Sequence, residues 1–170
     1  MKAVLAGLAA LFMCIAGIDP AAAQTRTVRH PETGGPAITV DLPGDWTTSI
    51  DPDNNLIIVG PGSTVAFSLS VVANTEDYSL DEFAREAMDT AAVQSVAADG
   101  EAMIPPFTGT TYIGQMPSNG QTVNLKMLIV KAPPDTILSA TMITGDYTTV
   151  ESTAVGEMIL KTLRVVDYQD

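Results

Sequence analysis

The densest group of chemistry-bearing residues is a set of four carboxylates in one short segment, Asp81, Glu82, Glu86 and Asp89. Paired carboxylates act as general acid and base when burial raises the pKa of one of them. The spacing instead puts them on the polar face of a predicted helix, with Arg85 and Asp89 as an i,i+4 pair. A carboxylate-dependent hydrolase stays open as an alternative. It needs two buried carboxylates facing one cleft, roughly 5–9 Å apart for glycosidic chemistry.

Nucleophilic catalysis has few residues to draw on. His30 is the only histidine, and it lies in a polar lead-in, 24–36, that has no hydrophobic periodicity. We expect this lead-in to be flexible, with a short strand at 25–29 as the alternative. A mobile histidine cannot be held in register with a nucleophile, so a catalytic His30 is not predicted. Cys14 is the only cysteine and falls in the signal peptide described below, which excludes thiol chemistry from the mature chain.

Two loops resemble ligand-binding motifs but are better explained as turns. Asp51, Asp53 and Asn55 have the spacing at which a calcium loop begins, yet Leu56 stands where that loop requires glycine. Asp and Asn are turn formers, so a hairpin turn is favoured. The segment 60–64 follows a strand as a phosphate loop does, but it lacks the lysine and the following helix. We predict no metal and no cofactor.

The methionines outside the signal peptide are scattered along the chain, whereas a copper site would cluster methionine with histidine. Methionine commonly fills irregular gaps in cores, so core filling is the better explanation. These residues are Met88, Met103, Met116, Met127, Met142 and Met158.

Trp46 and its neighbour Asp45 are the residues to which we assign ligand or partner binding. Trp46 is the only tryptophan in the chain. Tryptophan is enriched among the residues that anchor partners, which supports a binding role. Tryptophan is also highly buried on average, so closure of one end of the core explains it as well or better. The edge strands of the sheet are the other places where we expect a partner.

The first residues have the parts of a secretory signal. Lys2 supplies the positive charge, 3–18 is an uncharged apolar run, and 21–23 are small residues suited to cleavage. The run is shorter than the about 20 residues that a membrane span requires. We expect cleavage after Ala23 and a periplasmic or secreted mature protein with no stable membrane insertion.

The charge balance excludes some classes of partner. The chain has 20 Asp and Glu against 8 Lys and Arg, a formal net charge of −12. Such a surface repels nucleic-acid phosphates and anionic lipids, so nucleic acid is not an expected partner. We expect an envelope protein or a small ligand instead, and the charge is compatible with a cationic one.

The elements that position these residues begin with short strands separated by turns, predicted at 38–42, 46–50, 56–59 and 64–72. Ser79 and Glu82 form a capping box that starts a helix, expected to fray between 92 and 98. Three more strands are predicted at 107–116, 122–131 and 136–143, the first two joined by an Asn119-Gly120 hairpin turn.

A second helix is expected after Thr148, which would form a capping box with Glu151. Val155, Met158, Ile159 and Leu163 recur on its apolar stripe, and it ends near Arg164. Hairpin connections make the sheet mainly antiparallel. The predicted class is α+β, a single domain over 37–170 with about six to seven strands and two helices in an α/β/α sandwich.

This order of elements resembles the PsbP-like fold family, which includes PsbP and DcrB-like proteins. The residues that carry the resemblance are the strand, proline turn and tryptophan of 38–46, the helix start at 78–84, and the closing helix at 151–163. The resemblance implies a binding or assembly module without shared catalytic residues. We therefore predict an exported, non-catalytic binding or accessory module. A carboxylate-dependent hydrolase and a carrier of a small apolar ligand between helix and sheet remain the alternatives.

Overall fold

A computed structural model describes residues 25–75, 77–118 and 120–168. The signal peptide, its cleavage site at Ala23 and Asn119 of the expected hairpin turn lie outside these ranges. In chain order the elements are β1 (Arg26–His30), β2 (Ala37–Leu42), β3 (Thr47–Ile50), β4 (Leu56–Val59), β5 (Val65–Ala73), α1 (Leu80–Thr90), β6 (Gln94–Ile104), β7 (Phe107–Ser118), β8 (Gln121–Ala132), β9 (Thr136–Gly145), α2 (Val150–Leu160) and β10 (Arg164–Val166).

Two antiparallel sheets form from these strands. The large sheet has seven strands in the order β3-β4-β5-β9-β8-β7-β6, and the small sheet has three in the order β1-β2-β10. With the two helices, they confirm the predicted α+β class and its antiparallel sheet. The division of the whole chain into signal peptide, lead-in and domain stays a prediction.

The large sheet separates two hydrophobic cores. On one side, here the α1 face, its side chains pack against Phe83 and Met88 of α1. On the other side, the α2 face, they pack against both α2 and the small sheet. Alternation along β5 feeds both cores, because Ala66 belongs to the α1 face and Phe67 to the α2 face. The second face of the sandwich is therefore covered by a helix and a sheet together.

The start of α1 is the predicted one. Ser79 Oγ accepts a hydrogen bond from the backbone N–H of Glu82, and the Glu82 carboxylate accepts one from the backbone N–H of Ser79. This reciprocal capping box satisfies two backbone donors that the helix itself leaves unpaired.

The predicted cap of α2 is wrong by one residue. Thr149 is the N-cap, and its hydroxyl accepts from the backbone N–H of Ser152 at 3.0 Å. Thr148 instead donates to the backbone carbonyl of Thr64 at 2.6 Å, which ties the start of α2 to the start of β5. The helix ends at Leu160 rather than near Arg164, because the chain turns there to enter the small sheet.

Strands β6 and β10 were not predicted. Most of β6 is exposed and rich in alanine, and its pairing with β7 is interrupted by two register shifts. Ser95 and Gly100 have positive φ angles in this strand, so it lacks the regular alternation that identifies a strand. Strand β10 is only three residues long, and its first residue, Arg164, is where the sequence predicts the end of the second helix.

The lead-in also differs from the expected flexible segment. Residues 26–30 form β1, which pairs along its whole length with β2. This is the strand alternative that the sequence left open. Val28 is the only apolar residue of this strand, so no alternation marks it in the sequence, and its pairing with β2 is a tertiary contact.

Candidate functional site

Trp46 lies where the chain leaves the small sheet for the large one, between β2 and β3. It is 5% exposed, and its ring centroid is 5.7 Å from that of Phe67. A Cβ at Gly60 would lie 2.9 Å from two atoms of the Trp46 ring, so glycine permits the close approach of this backbone. The Arg26 guanidinium donates to the Trp46 carbonyl at 3.0 Å. These contacts fix the ring at one end of the α2-face core.

A surface groove of about 340 Å³, here the Trp46 groove, runs beside this ring. Three separate parts of the chain form its walls: the β2–β3 turn, the β4–β5 connection and the first turns of α2. It is lined by Pro43, Asp45, Trp46, Gly60, Pro61, Thr64, Val65, Glu151, Ser152 and Val155. The structure thus brings both residues named from the sequence, Trp46 and Asp45, to one cleft.

The charged residues of the Trp46 groove are acidic. Within the part of the chain that the structure describes, its ionisable lining residues are the carboxylates Asp45 and Glu151, and no lysine or arginine lines it. Among the ion pairs of the described residues, neither carboxylate takes part. The rest of the lining is largely apolar, with two prolines and two valines beside the indole. The arrangement suits a ligand that is apolar in the middle and positively charged at an edge.

Sequence reasoning missed most of this groove. Pro61 was interpreted only as part of a turn, Glu151 as a capping residue and Val155 as part of a core stripe. The interpretations of Pro61 and Val155 are correct, because Pro61 lies in a turn and Val155 packs against the α2-face core. The capping interpretation of Glu151 is wrong, because the capping bond joins Thr149 and Ser152. A Pro-Gly turn and a capped helix start, both next to buried strands, are the signals present, but only the tertiary fold brings them together.

The acidic segment of α1 lines a second, polar cleft of about 290 Å³. The Tyr112 hydroxyl donates to the Asp81 carboxylate there. Burial, and then this hydrogen bond, raise the pKa of Tyr112 to about 12. Arg85 and Asp89 also line the cleft, but the expected i,i+4 ion pair is not among the ion pairs of the described residues.

The hydrolase alternative required two buried carboxylates at one cleft. No Asp or Glu side chain among residues 25–75, 77–118 and 120–168 is buried. The carrier alternative required a cavity between helix and sheet. On the α1 face that space holds Phe83, Met88, Met127 and Ile129, which pack together as one core.

His30 is buried and belongs to a strand, contrary to its predicted place in an irregular lead-in. It is 2% exposed at the end of β1, and its side chain is hydrogen-bonded to the backbone of Asn54 in the β3–β4 turn. Burial lowers the pKa of His30, and the Asn54 bond and the nearby Asp51 carboxylate only partly oppose this. The Asp51 carboxylate itself accepts from the backbone N–H of Asn55 at 2.8 Å, as a hairpin turn requires. His30 therefore links the small sheet to the large one.

The methionines of the described residues divide into two groups. Four are buried, as core filling predicts, namely Met88, Met116, Met127 and Met142. Met103 and Met158 are 60% and 58% exposed, so they depart from that expectation. Met158 departs because α2 turns its Ile159 and Leu160 side towards the core.

A third cleft, of about 420 Å³, lies on the large sheet beyond the edge of α2. Its lining is mostly apolar, and polar side chains in it are paired: the Gln115 amide donates to Asn124 at 2.9 Å, and Lys126 is ion-paired with Glu157 at 2.9 Å. These side chains satisfy one another. In the described ranges neither helix is long and apolar enough to cross a membrane.

No family model matches the chain, and no curated protein matches it. Solved structures do. The solution structure of cyanobacterial PsbP (CyanoP) from Synechocystis sp. PCC 6803 has a TM-score of 0.55 at 9% identity, and the match covers 91% of this chain and 99% of that one.

A crystal structure of LpqN, a protein involved in cell envelope biogenesis of Mycobacterium tuberculosis, has a TM-score of 0.51 at 16% identity. That match covers 86% of this chain and 93% of LpqN. A protein of Bacteroides thetaiotaomicron VPI-5482 matches at a TM-score of 0.52 and 13% identity, over 76% of this chain. This chain spans only 45% of the Bacteroides protein. At such low identities the likeness shows the fold alone, and the chain has the PsbP-like fold that its sequence predicted.

Proposed function

We propose that the protein is an exported, non-catalytic accessory module of the cell envelope that binds a partner protein in the Trp46 groove. The observation that carries this proposal is the groove itself: a concave, largely apolar surface with an aromatic wall and few polar groups. Binding sites in proteins have this composition.

Contacts within the protein hold two of the three walls of the groove, which favours binding because little ordering entropy is lost on association. Trp46 is held by Phe67 and by the carbonyl contact from Arg26. The start of α2 is held by the Thr149 cap and by the hydrogen bond from Thr148 to Thr64. These two walls are therefore pre-formed in the free protein.

The fold and the sequence support the envelope setting. LpqN, which shares the fold, is involved in cell envelope biogenesis. The first residues of this chain have the pattern of a secretory signal, which would deliver the protein to the envelope. A partner in that compartment fits both observations.

Site-specific photo-crosslinking in intact cells tests the proposal. A benzophenone amino acid replaces Pro61 in the groove or, as the control, Thr90, which is exposed at the end of α1 on the opposite face of the large sheet. We expect a discrete crosslinked product of the envelope fraction from Pro61 and none from Thr90. Absence of a product from Pro61, or the same product from both positions, would contradict the proposal.

A further inference from the structure

We infer that the occupant of the Trp46 groove is an extended segment of the partner that carries a lysine or arginine beside proline or aliphatic residues. This inference rests on the proposed function and specifies the chemistry of the ligand. It is carried by the charge and the shape of the groove.

The charge argument concerns Asp45 and Glu151, which belong to different walls. Both are exposed and neither is ion-paired within the described part of the chain. Two carboxylates elsewhere on the protein do have partners, since Asp81 accepts from Tyr112 and Glu157 is bound by Lys126. A cationic side chain in the groove would meet two available carboxylates, while an anionic one would be repelled by both.

The start of α2 does not reverse this preference. Helix N-termini attract anions through their unpaired N–H groups. Here the Thr149 hydroxyl already accepts from the N–H of Ser152, and Glu151 supplies a negative charge in the same turn. An incoming anion would therefore compete with charges already in place.

The shape argument concerns the apolar part of the lining. About 340 Å³ is near the lower limit for sites that enclose a small molecule, and this groove is partly open to solvent. An open groove with an aromatic wall suits a chain that lies across it. Extended and polyproline segments dock in such aromatic-lined grooves, because their backbone is already extended and few conformations are lost.

Fluorescence provides a direct readout, since Trp46 is the only tryptophan of the chain. We would titrate the mature protein with three tryptophan-free peptides that share a proline–leucine centre and differ only in flanking lysine, serine or glutamate. The lysine peptide should change the Trp46 emission at the lowest concentration and the glutamate peptide should have no effect. Raising the salt concentration from about 50 to about 500 mM should weaken the binding of the lysine peptide and leave the binding of the serine peptide unchanged.

Two matched double variants test which carboxylates are responsible. Asp45→Asn with Glu151→Gln removes the charges of the groove, and Asp99→Asn with Glu101→Gln removes the same charge from the exposed strand β6. The groove variant should bind the lysine peptide about three- to tenfold more weakly, the range expected for two exposed ion pairs. The β6 variant should bind it as the unaltered protein does.

The outcomes separate this inference from the proposed function. Equal binding of the three peptides, or equal loss in both double variants, would overturn the inference. A free quaternary ammonium that shifts the emission as strongly as the lysine peptide would overturn its peptide part. If no peptide binds while the Pro61 crosslink still captures an envelope protein, the inference is wrong and the proposed function stands.

Discussion

The two faces of the large sheet are both covered by packed elements, but the covering elements differ. The α1 face is covered by one helix, whose Phe83 and Met88 fill a single core. The α2 face is covered by a helix and a second sheet, and the chain crosses between the sheets at Trp46. A cover made of several elements leaves clefts where the elements meet, and the Trp46 groove is such a cleft. The comparison places the proposed binding groove where the covering elements meet.

The two helices also approach the sheet differently. Helix α1 uses large side chains as spacers. Helix α2 approaches through Gly156, where a Cβ would lie 2.8 Å from the Met142 sulfur and 3.2 Å from a methyl of Val65. The distance between α2 and the sheet is therefore set by the absence of a side chain, which also fixes one wall of the groove.

The largest effect is expected from Phe83→Ala on the α1 face. Removing a buried phenylalanine leaves a cavity, and the free energy of unfolding should fall by about 3–5 kcal/mol. Urea titration measures this loss. The native emission of Trp46 should not change, because Trp46 belongs to the other core. A shifted native emission would mean that the two faces are not independent.

Gly156→Leu tests the α2 face in the same way. The larger side chain cannot fit between α2 and Met142, so stability should fall by about 2–3 kcal/mol and the native Trp46 emission should shift to the red. Gly156→Ala is the matched control. Its single carbon meets the movable end of Met142, and it gains helix propensity of about 1 kcal/mol, so its net change should be close to zero. An unchanged Trp46 emission in the leucine variant would show that the packing of α2 does not affect the groove.

The caps provide a smaller comparison between the helices. Ser79→Ala breaks a reciprocal capping box, and Thr149→Ala breaks a single capping bond to the backbone. We expect losses of about 1–2 and about 0.5–1 kcal/mol respectively in the free energy of unfolding. Thr149→Ala should also weaken peptide binding, because it loosens a wall of the groove. The reverse order of the two losses would show that tertiary packing, rather than capping, holds these helix ends.

The smallest effect is the pH dependence that His30 confers at the joint between the sheets. Burial lowers its pKa below the usual 6.5, so the unfolded chain binds a proton at a pH where the folded one does not. The contribution of His30 to stability is thus complete above about pH 6.5 and declines as the pH falls towards the lowered pKa.

His30→Gln keeps an N–H donor for the Asn54 carbonyl and removes the titration. Unfolding free energies at about pH 7.5 and about pH 5.5 should differ less in this variant than in the unaltered protein. An identical difference would show that His30 does not contribute to the pH dependence.

The fold could be predicted where local and tertiary preferences agree. Strands β5, β8 and β9 have apolar residues on both faces, and α1 has both a capping box and one apolar stripe. Strand β6 could not be predicted because it lies at an edge of the sheet, where exposure and register shifts remove the alternation of apolar and polar residues. Strand β10 escaped because three residues are too few to show a period.

Only part of the candidate site could be predicted from the sequence, for a similar reason. Trp46 and Asp45 stand out by residue type and turn position. Pro61 and Glu151 line the groove only because β5 and α2 pack together, and no local pattern in the sequence encodes that packing.

The small sheet has a consequence for the order of assembly. Its two outer strands, β1 and β10, are the first and last of the described elements to leave the ribosome, and Arg29 and Asp167 join them in an ion pair of 2.7 Å. A nascent chain can form the middle of the large sheet long before β10 exists. Until β10 arrives, the apolar side chains of β2 lack part of their cover. We therefore expect a chain that stops before β10 to be more susceptible to proteases than one that includes it.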